Sequence, residues 1–132
     1  MLNKVVARFA DGRVLKGMTA DFSPGKDIFH LALADAPGQA PLEVRAQDLK
    51  ALFFVKDHAG NPGYDERKEF ESAPSIAERP IQVVFQDGEV LVGTTSGYRA
   101  GRPGFFLTPA DPESNNERCY VITAAAREIT FI

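Results

Sequence analysis

Apolar and polar side chains alternate in short runs along most of this chain. From Lys4 to Phe9, Val5, Ala7 and Phe9 fall on one face and Val6 and Arg8 on the other, which is the period of a half-buried strand. The same reading gives strands over Val14 to Phe22, Ile28 to Leu33, Leu42 to Arg45 and Lys50 to Lys56, the last with a very apolar centre. A second set follows at Ile81 to Phe85, Glu89 to Tyr98, Phe105 to Thr108, Arg118 to Ile122 and Arg127 to Ile132. Turn residues separate them. Asp11-Gly12 and Asp87-Gly88 predict tight hairpins of type I′, and Ser23 to Asp27 and Arg99 to Gly104 predict turns. Ala36 to Pro41 and Pro109 to Glu117 read as loops. The short polar links Ala46 to Leu49 and Thr123 to Ala126 each have room for one 3₁₀ turn.

The two sets are copies of one unit. With a shift of 76, Phe9 to Asp35 aligns without a gap on Phe85 to Asp111, and twelve of the 27 positions are identical. After one inserted residue the tails match as Val44/Val121, Lys50/Arg127, Leu52/Ile129, Phe54/Phe131 and Val55/Ile132. A repeat of this kind constrains the fold before anything else does. It divides the chain into a first unit at residues 1–56, a linker at 57–80 and a second unit at 81–132. Units of about 55 residues sit at the margin for burying a core alone, so the copies are expected to share an interface or the protein to self-associate. The linker is rich in Gly, Pro, Asn and charge, and Asp65 to Ser72 is read as a turn or two of helix.

Five short bent strands, with glycines at Gly17 and Gly93 inside the second strand of each copy and a one-turn helix before the fifth, describe an SH3-like or Sm-like small barrel. On that order of elements, Val5 to Val55 resembles the core of the Sm-like proteins, including the bacterial Hfq type. The resemblance implies an all-β fold of two tandem five-stranded Sm-like or SH3-like barrels with a short helical or irregular linker. The Tyr-Lys-His run of the Hfq-type RNA site is missing: Val44-Arg45-Ala46 and Val121-Ile122-Thr123 stand there. Phe53 to Pro62 and Pro103 to Pro112, followed by Ser114-Asn115-Asn116, are also similar to an uncharacterised bacterial family found alone or attached to signalling proteins. That second resemblance implies no activity.

Composition adds limits. The chain has 132 residues and a formal net charge of −3, which argues against a general nucleic-acid binder. Only residues 1–56 are slightly basic, with eight basic and six acidic side chains. Cys119 is the sole cysteine, so no intramolecular disulfide or thiolate metal cluster forms. No apolar run reaches membrane-helix length, and Met1 to Lys4 leads into a strand without a signal peptide's apolar stretch, so the expected location is the cytoplasm.

Candidate chemistry is sparse. Asp11 and Asp87 are read as hairpin residues rather than an acid–base pair. His30 and His58 lack triad or metal partners in the sequence. Cys119 is expected to pack as a small apolar residue. The informative positions are polar residues on loops, where recognition concentrates. Arg99 and Arg102 form one candidate binding pair with Arg118, and Asn115 and Asn116 offer amides in the adjoining loop. Asn61 and Tyr64 form a second candidate, with Tyr64 as an aromatic anchor. Each group also has a plainer reading, as solvated turn, Asx turn or packed linker.

The function expected from these features is a non-enzymatic interaction module acting through a protein partner or self-association in a regulatory setting, with no cofactor and no metal. Two alternatives stand beside it: Sm-like RNA binding through Arg8, Arg13, Lys16 and Lys26, and small-anion or nucleotide sensing through Arg99, Arg102 and Arg118.

Overall fold

The computed structural model describes residues 2–60, 63–70 and 77–132. The expected all-β class holds. Ten strands run β1 (Asn3–Phe9), β2 (Val14–Thr19), β3 (Ile28–Leu33), β4 (Leu42–Arg45), β5 (Leu49–Val55), β6 (Arg79–Phe85), β7 (Val90–Thr95), β8 (Gly104–Pro109), β9 (Asn116–Ile122) and β10 (Ala126–Phe131). Single 3₁₀ turns at Ala46–Asp48 and Thr123–Ala125 lie where the short polar links predicted them. The second strand of each set is shorter than predicted, ending at Thr19 and Thr95. The helix expected from Asp65 onward does not form: residues 63–70 are irregular, and residues 71–76 lie outside the described residues.

All the strand pairs are antiparallel. They form one open sheet in the order β10-β6-β7-β8-β9-β5-β1-β2-β3-β4. Two tandem five-stranded barrels, sharing an interface or self-associating, were expected. Instead, β9 of the second half hydrogen-bonds to β5 of the first, with Ala51 opposite Val121, Leu52 opposite Tyr120 and Phe53 opposite Cys119. The reason is visible in β5 itself, where all seven positions are buried. A strand apolar on both faces needs cover on both sides, and a continuous sheet with a core on each side supplies it.

Two cores result. One gathers Val5, Ala7, Phe29, Leu31, Leu52 and Phe54, completed by Tyr120 and Ile122 from β9. The other gathers Ile81, Val83, Phe85, Phe105, Cys119 and Val121, completed by Ala51, Phe53 and Val55 from β5. Alternate residues of each seam strand thus fill different cores, which follows from the period of two along a strand.

The hairpins correct the expected turn type. Gly12 and Gly88 have φ of 99° and 93°, while no non-glycine among the described residues has positive φ. The amide of Gly12 donates to the carbonyl of Phe9, and the amide of Phe9 to the carbonyl of Arg13. This is a type I turn closed by a left-handed glycine rather than a type I′ turn, which requires positive φ at both central residues. Asp11 stays in an ordinary conformation and its carboxylate accepts from the Arg13 amide at 3.0 Å.

Gly17 and Gly93 are required for close approach. A Cβ at Gly17 would lie 2.2 Å from the Ala32 carbonyl oxygen, and one at Gly93 would lie 2.0 Å from that of Thr108. In both places the second strand leans against the backbone of the third. Gly17→Ala and Gly93→Ala are therefore expected to lose about 3 kcal/mol each in urea unfolding. Gly25→Ala, which meets nothing within 4 Å, should stay within about 0.5 kcal/mol of the wild type.

Candidate functional site

The seam between β5 and β9 organises the surface features around it. On one face an aromatic cluster locks the halves together. Phe22 meets Tyr120 with ring centroids 5.1 Å apart, Phe54 meets Phe106 at 6.0 Å, and Phe106 meets Tyr120 at 5.1 Å. The guanidinium of Arg118 lies 4.4 Å and 4.5 Å from the ring centroids of Phe54 and Phe106. The Tyr120 hydroxyl donates to the Pro24 carbonyl at 3.2 Å, and burial raises its pKa. On the other face Lys50, with its side chain 11% exposed, reaches from β5 to the carboxylates of Asp87 and Glu89. Lys50 holds the Asp87 pKa below the usual carboxylate range.

The segment after β5 is strapped onto the loop before β9. Asn115 is a two-way clamp: its Oδ1 accepts from the Asp57 amide at 3.0 Å and its Nδ2 donates to the Asp57 carbonyl at 2.8 Å. Further on, one buried carboxylate gathers four donors. Asp111 Oδ2 accepts from the Tyr64 hydroxyl and from the Arg67 amide, and Oδ1 accepts from the Arg67 guanidinium at 2.8 Å and the Glu113 amide at 2.9 Å. The Ser114 hydroxyl donates to Glu66. The Arg67 guanidinium is the main reason that the Asp111 carboxyl titrates far below the usual range, and donation to Asp111 raises the pKa of Tyr64.

Two clefts flank the seam. The larger, of about 440 Å³, lies beside the strap. Val6, Phe53, Val55 and Leu91 give it an apolar lining, while Arg8, Lys16 and Lys68 face Glu66 and Glu89 around it. The smaller, of about 390 Å³, lies between the β2–β3 turn and the β7–β8 turn, with Phe106 and Tyr120 among its walls and Lys26 and Arg102 as its cations.

The expected site residues separate. Tyr64, Asn115 and Asn116 line the larger cleft; the side chains of Asn115 and Tyr64 are committed to the strap, and the backbone amide of Asn116 donates to the Ser114 hydroxyl. Arg102 lines the smaller cleft and Arg99 lines neither. Arg118 stacks on the seam rings. The three arginines therefore do not converge on one cleft. Asn61 lies outside the described residues. Asn115 takes no positive φ, so its plainer reading as a left-handed Asx turn does not hold either.

Other reactive groups are engaged. Cys119 is buried, which pushes its thiol pKa far up. His30 Nδ1 lies 2.7 Å from Asp21 Oδ2, and the Asp21 pKa falls to about 2, chiefly through the His30 amide. His58 donates Nε2–H to the Gly17 carbonyl at 2.8 Å. Among the described residues no group of three or more His, Cys, Asp or Glu could hold a metal ion, and no helix is long and apolar enough to cross a membrane.

Asp111 and Arg67 escaped the sequence reading. The available signal was that Asp111 repeats Asp35, and nothing in the repeat separates the two; Asp35 is exposed and Asp111 buried because the strap lands only on the second.

These features define an all-β protein of ten antiparallel strands with a strapped seam and two flanking clefts. The chain belongs to a family of unknown function, DUF6982, whose model matches residues 1–132. No curated protein matches it.

The strap should weaken only in acid. A carboxyl whose pKa is lowered on folding stabilises the fold in full above the unfolded value of about 3.9 and loses that contribution as pH falls through the folded value. Asp111→Asn is expected to lower the thermal midpoint by several degrees at pH 7. The gap between variant and wild type should then shrink as the pH drops from about 4 towards 2. A gap that stayed constant over that window would show that the charge of Asp111 does not hold the strap.

Proposed function

We propose that this chain is a non-enzymatic interaction module: two tandem five-stranded Sm-like units, fused along one seam, that contact another protein in a regulatory setting. Strand order supports the duplicated unit. The first five strands run β5-β1-β2-β3-β4 and the last five run β10-β6-β7-β8-β9.

The observation that carries the binding reading is the mixed character of the larger cleft. An apolar floor of Val6, Phe53 and Leu91 beside cations and carboxylates of both signs suits a short polypeptide segment. A polyanion requires one sign of charge, because phosphate neutralisation supplies most of its affinity. Here Glu66 and Glu89 share the cleft with Arg8 and Lys16, and the other two basic residues of the candidate RNA surface are paired, Arg13 with Asp11 and Lys26 with Asp21. Acid–base or nucleophilic chemistry also lacks support, since both histidines and the thiol are engaged or buried.

Cross-linking capture from native lysate tests this reading, with wild type and an Arg8→Glu/Lys16→Glu double variant as baits. A partner cross-linked around the cleft should be recovered with the wild type and reduced by an order of magnitude with the variant. Equal recovery from both baits, or none from either, would remove the cleft from consideration. In parallel, fluorescence anisotropy with short RNAs at two salt concentrations is expected to show no binding. Salt-sensitive RNA binding would replace the protein-contact reading with the nucleic-acid one.

A further inference from the structure

Resting on the protein-contact reading, we propose that the segment taken by the larger cleft is acidic: an extended stretch of another protein with a carboxylate between Arg8 and Lys16 and an apolar side chain beside it on Val6 and Phe53.

The strand register sets the two cations together. Lys16 stands opposite Val6, and Arg8 stands opposite Val14, so Arg8 and Lys16 are diagonal neighbours on one face of the β1–β2 ladder. Val6 also stands opposite Phe53 of β5, and the Arg8 guanidinium lies 5.8 Å from the centre of the Phe53 ring. The cations therefore rim the apolar floor of the cleft.

Charge complementarity gives the sign of the occupant. The carboxylates around the cleft already have partners: Glu89 is paired with Lys50, and Glu66 with the Ser114 hydroxyl and, at 3.6 Å, with Lys68. Arg8 and Lys16 make no ion pair among the described residues. The second copy has Val84 and Val92 at these two positions, both buried, so the shared fold does not require charge there. Arg45, Arg99 and Arg127 also make no ion pair among the described residues, but they line neither cleft. What singles out Arg8 and Lys16 is an open charge next to an apolar floor.

The strap is already a polypeptide segment lying along this cleft. Tyr64, Glu66 and Lys68 line it, while Arg67 turns away to Asp111. Alternate side chains thus face the cleft, as they do in an extended chain. Glu66 is held by Ser114 and Lys68, which leaves Arg8 and Lys16 to an incoming chain. Two cations match one carboxylate. A nucleic acid, charged at every phosphate, draws its affinity from many more.

The test is selection of a random heptapeptide display library on the whole chain, followed by fluorescence anisotropy with labelled copies of the selected peptides. The wild type should enrich Asp or Glu beside Leu, Ile, Val or Phe. Arg8→Glu/Lys16→Glu should enrich Lys or Arg in place of the acid. Arg8→Gln and Lys16→Gln should each weaken a selected peptide by about two- to fivefold, the scale of one partly exposed ion pair. Arg127→Gln, an equal loss of charge away from both clefts, should leave the affinity unchanged. No enrichment, enrichment without acidic residues, the same peptides from wild type and double variant, or equal weakening by Arg127→Gln would overturn the proposal. A lysate partner whose cross-linked segment carries no carboxylate would also overturn it, while leaving the protein-contact reading in place. Acidic enrichment with no lysate partner would uphold the preference of the cleft and remove that reading instead.

Discussion

The molecule depends on one ladder, that between β5 and β9. Its strength comes from burial rather than charge. Both faces of β5 are covered, and each face carries apolar side chains into a different core. Fully burying a large apolar side chain contributes about 1.5–3 kcal/mol, and β5 has Leu49, Leu52, Phe53, Phe54 and Val55. The Lys50 pairs with Asp87 and Glu89 are a smaller effect, because both carboxylates are about half exposed and such pairs are worth up to about 1 kcal/mol. Their use is to fix register. Lys50 also lies 4.7 Å from the Phe85 ring centroid, so a slip of the ladder would part the cation from both the ring and the carboxylates.

That ladder explains what was legible beforehand and what was not. Alternation located the ten strands, because a half-buried strand writes its two faces directly into the sequence, and the short polar links between strands located both 3₁₀ turns. It did not say which edges pair across the halves, since hydrogen bonds between edges leave no residue pattern of their own. A trace did exist in the difference between the copies. Ala51 and Phe53 in β5 become Glu128 and Thr130 in β10, and Tyr120 and Ile122 in β9 become Glu43 and Arg45 in β4. The repeat was read for its identities, whereas the interface is encoded in its departures from identity.

The candidate site was less legible, for a related reason. Loop polarity marks positions free to bind and positions bound to neighbouring backbone equally well. Asn115 looked available by composition but closes both its amide groups on Asp57. Arg118 looked like an anion contact but lies over Phe54 and Phe106. The carboxylate that matters most, Asp111, is distinguished from Asp35 only by the linker folding back onto it. Long-range closure of that kind depends on where the chain travels, which no local window contains.

The same comparison of copies bears on the two ends of the sheet. An edge strand exposes unpaired backbone groups and invites addition of another strand unless it is short, charged or covered. β4 is short, and its outward positions carry Glu43 and Arg45, both common guards against pairing. β10 is longer and ends on an exposed phenylalanine, and it too carries one charge of each sign, Arg127 and Glu128. Charge therefore guards both edges alike, and what separates them is length and the packing of Phe131 on Tyr98, which repeats the Phe54–Phe22 contact of the first half. The first half buries its ring pair under β9, whereas the second half leaves its own at the rim of the sheet, so the two copies differ most in what covers their fifth strand.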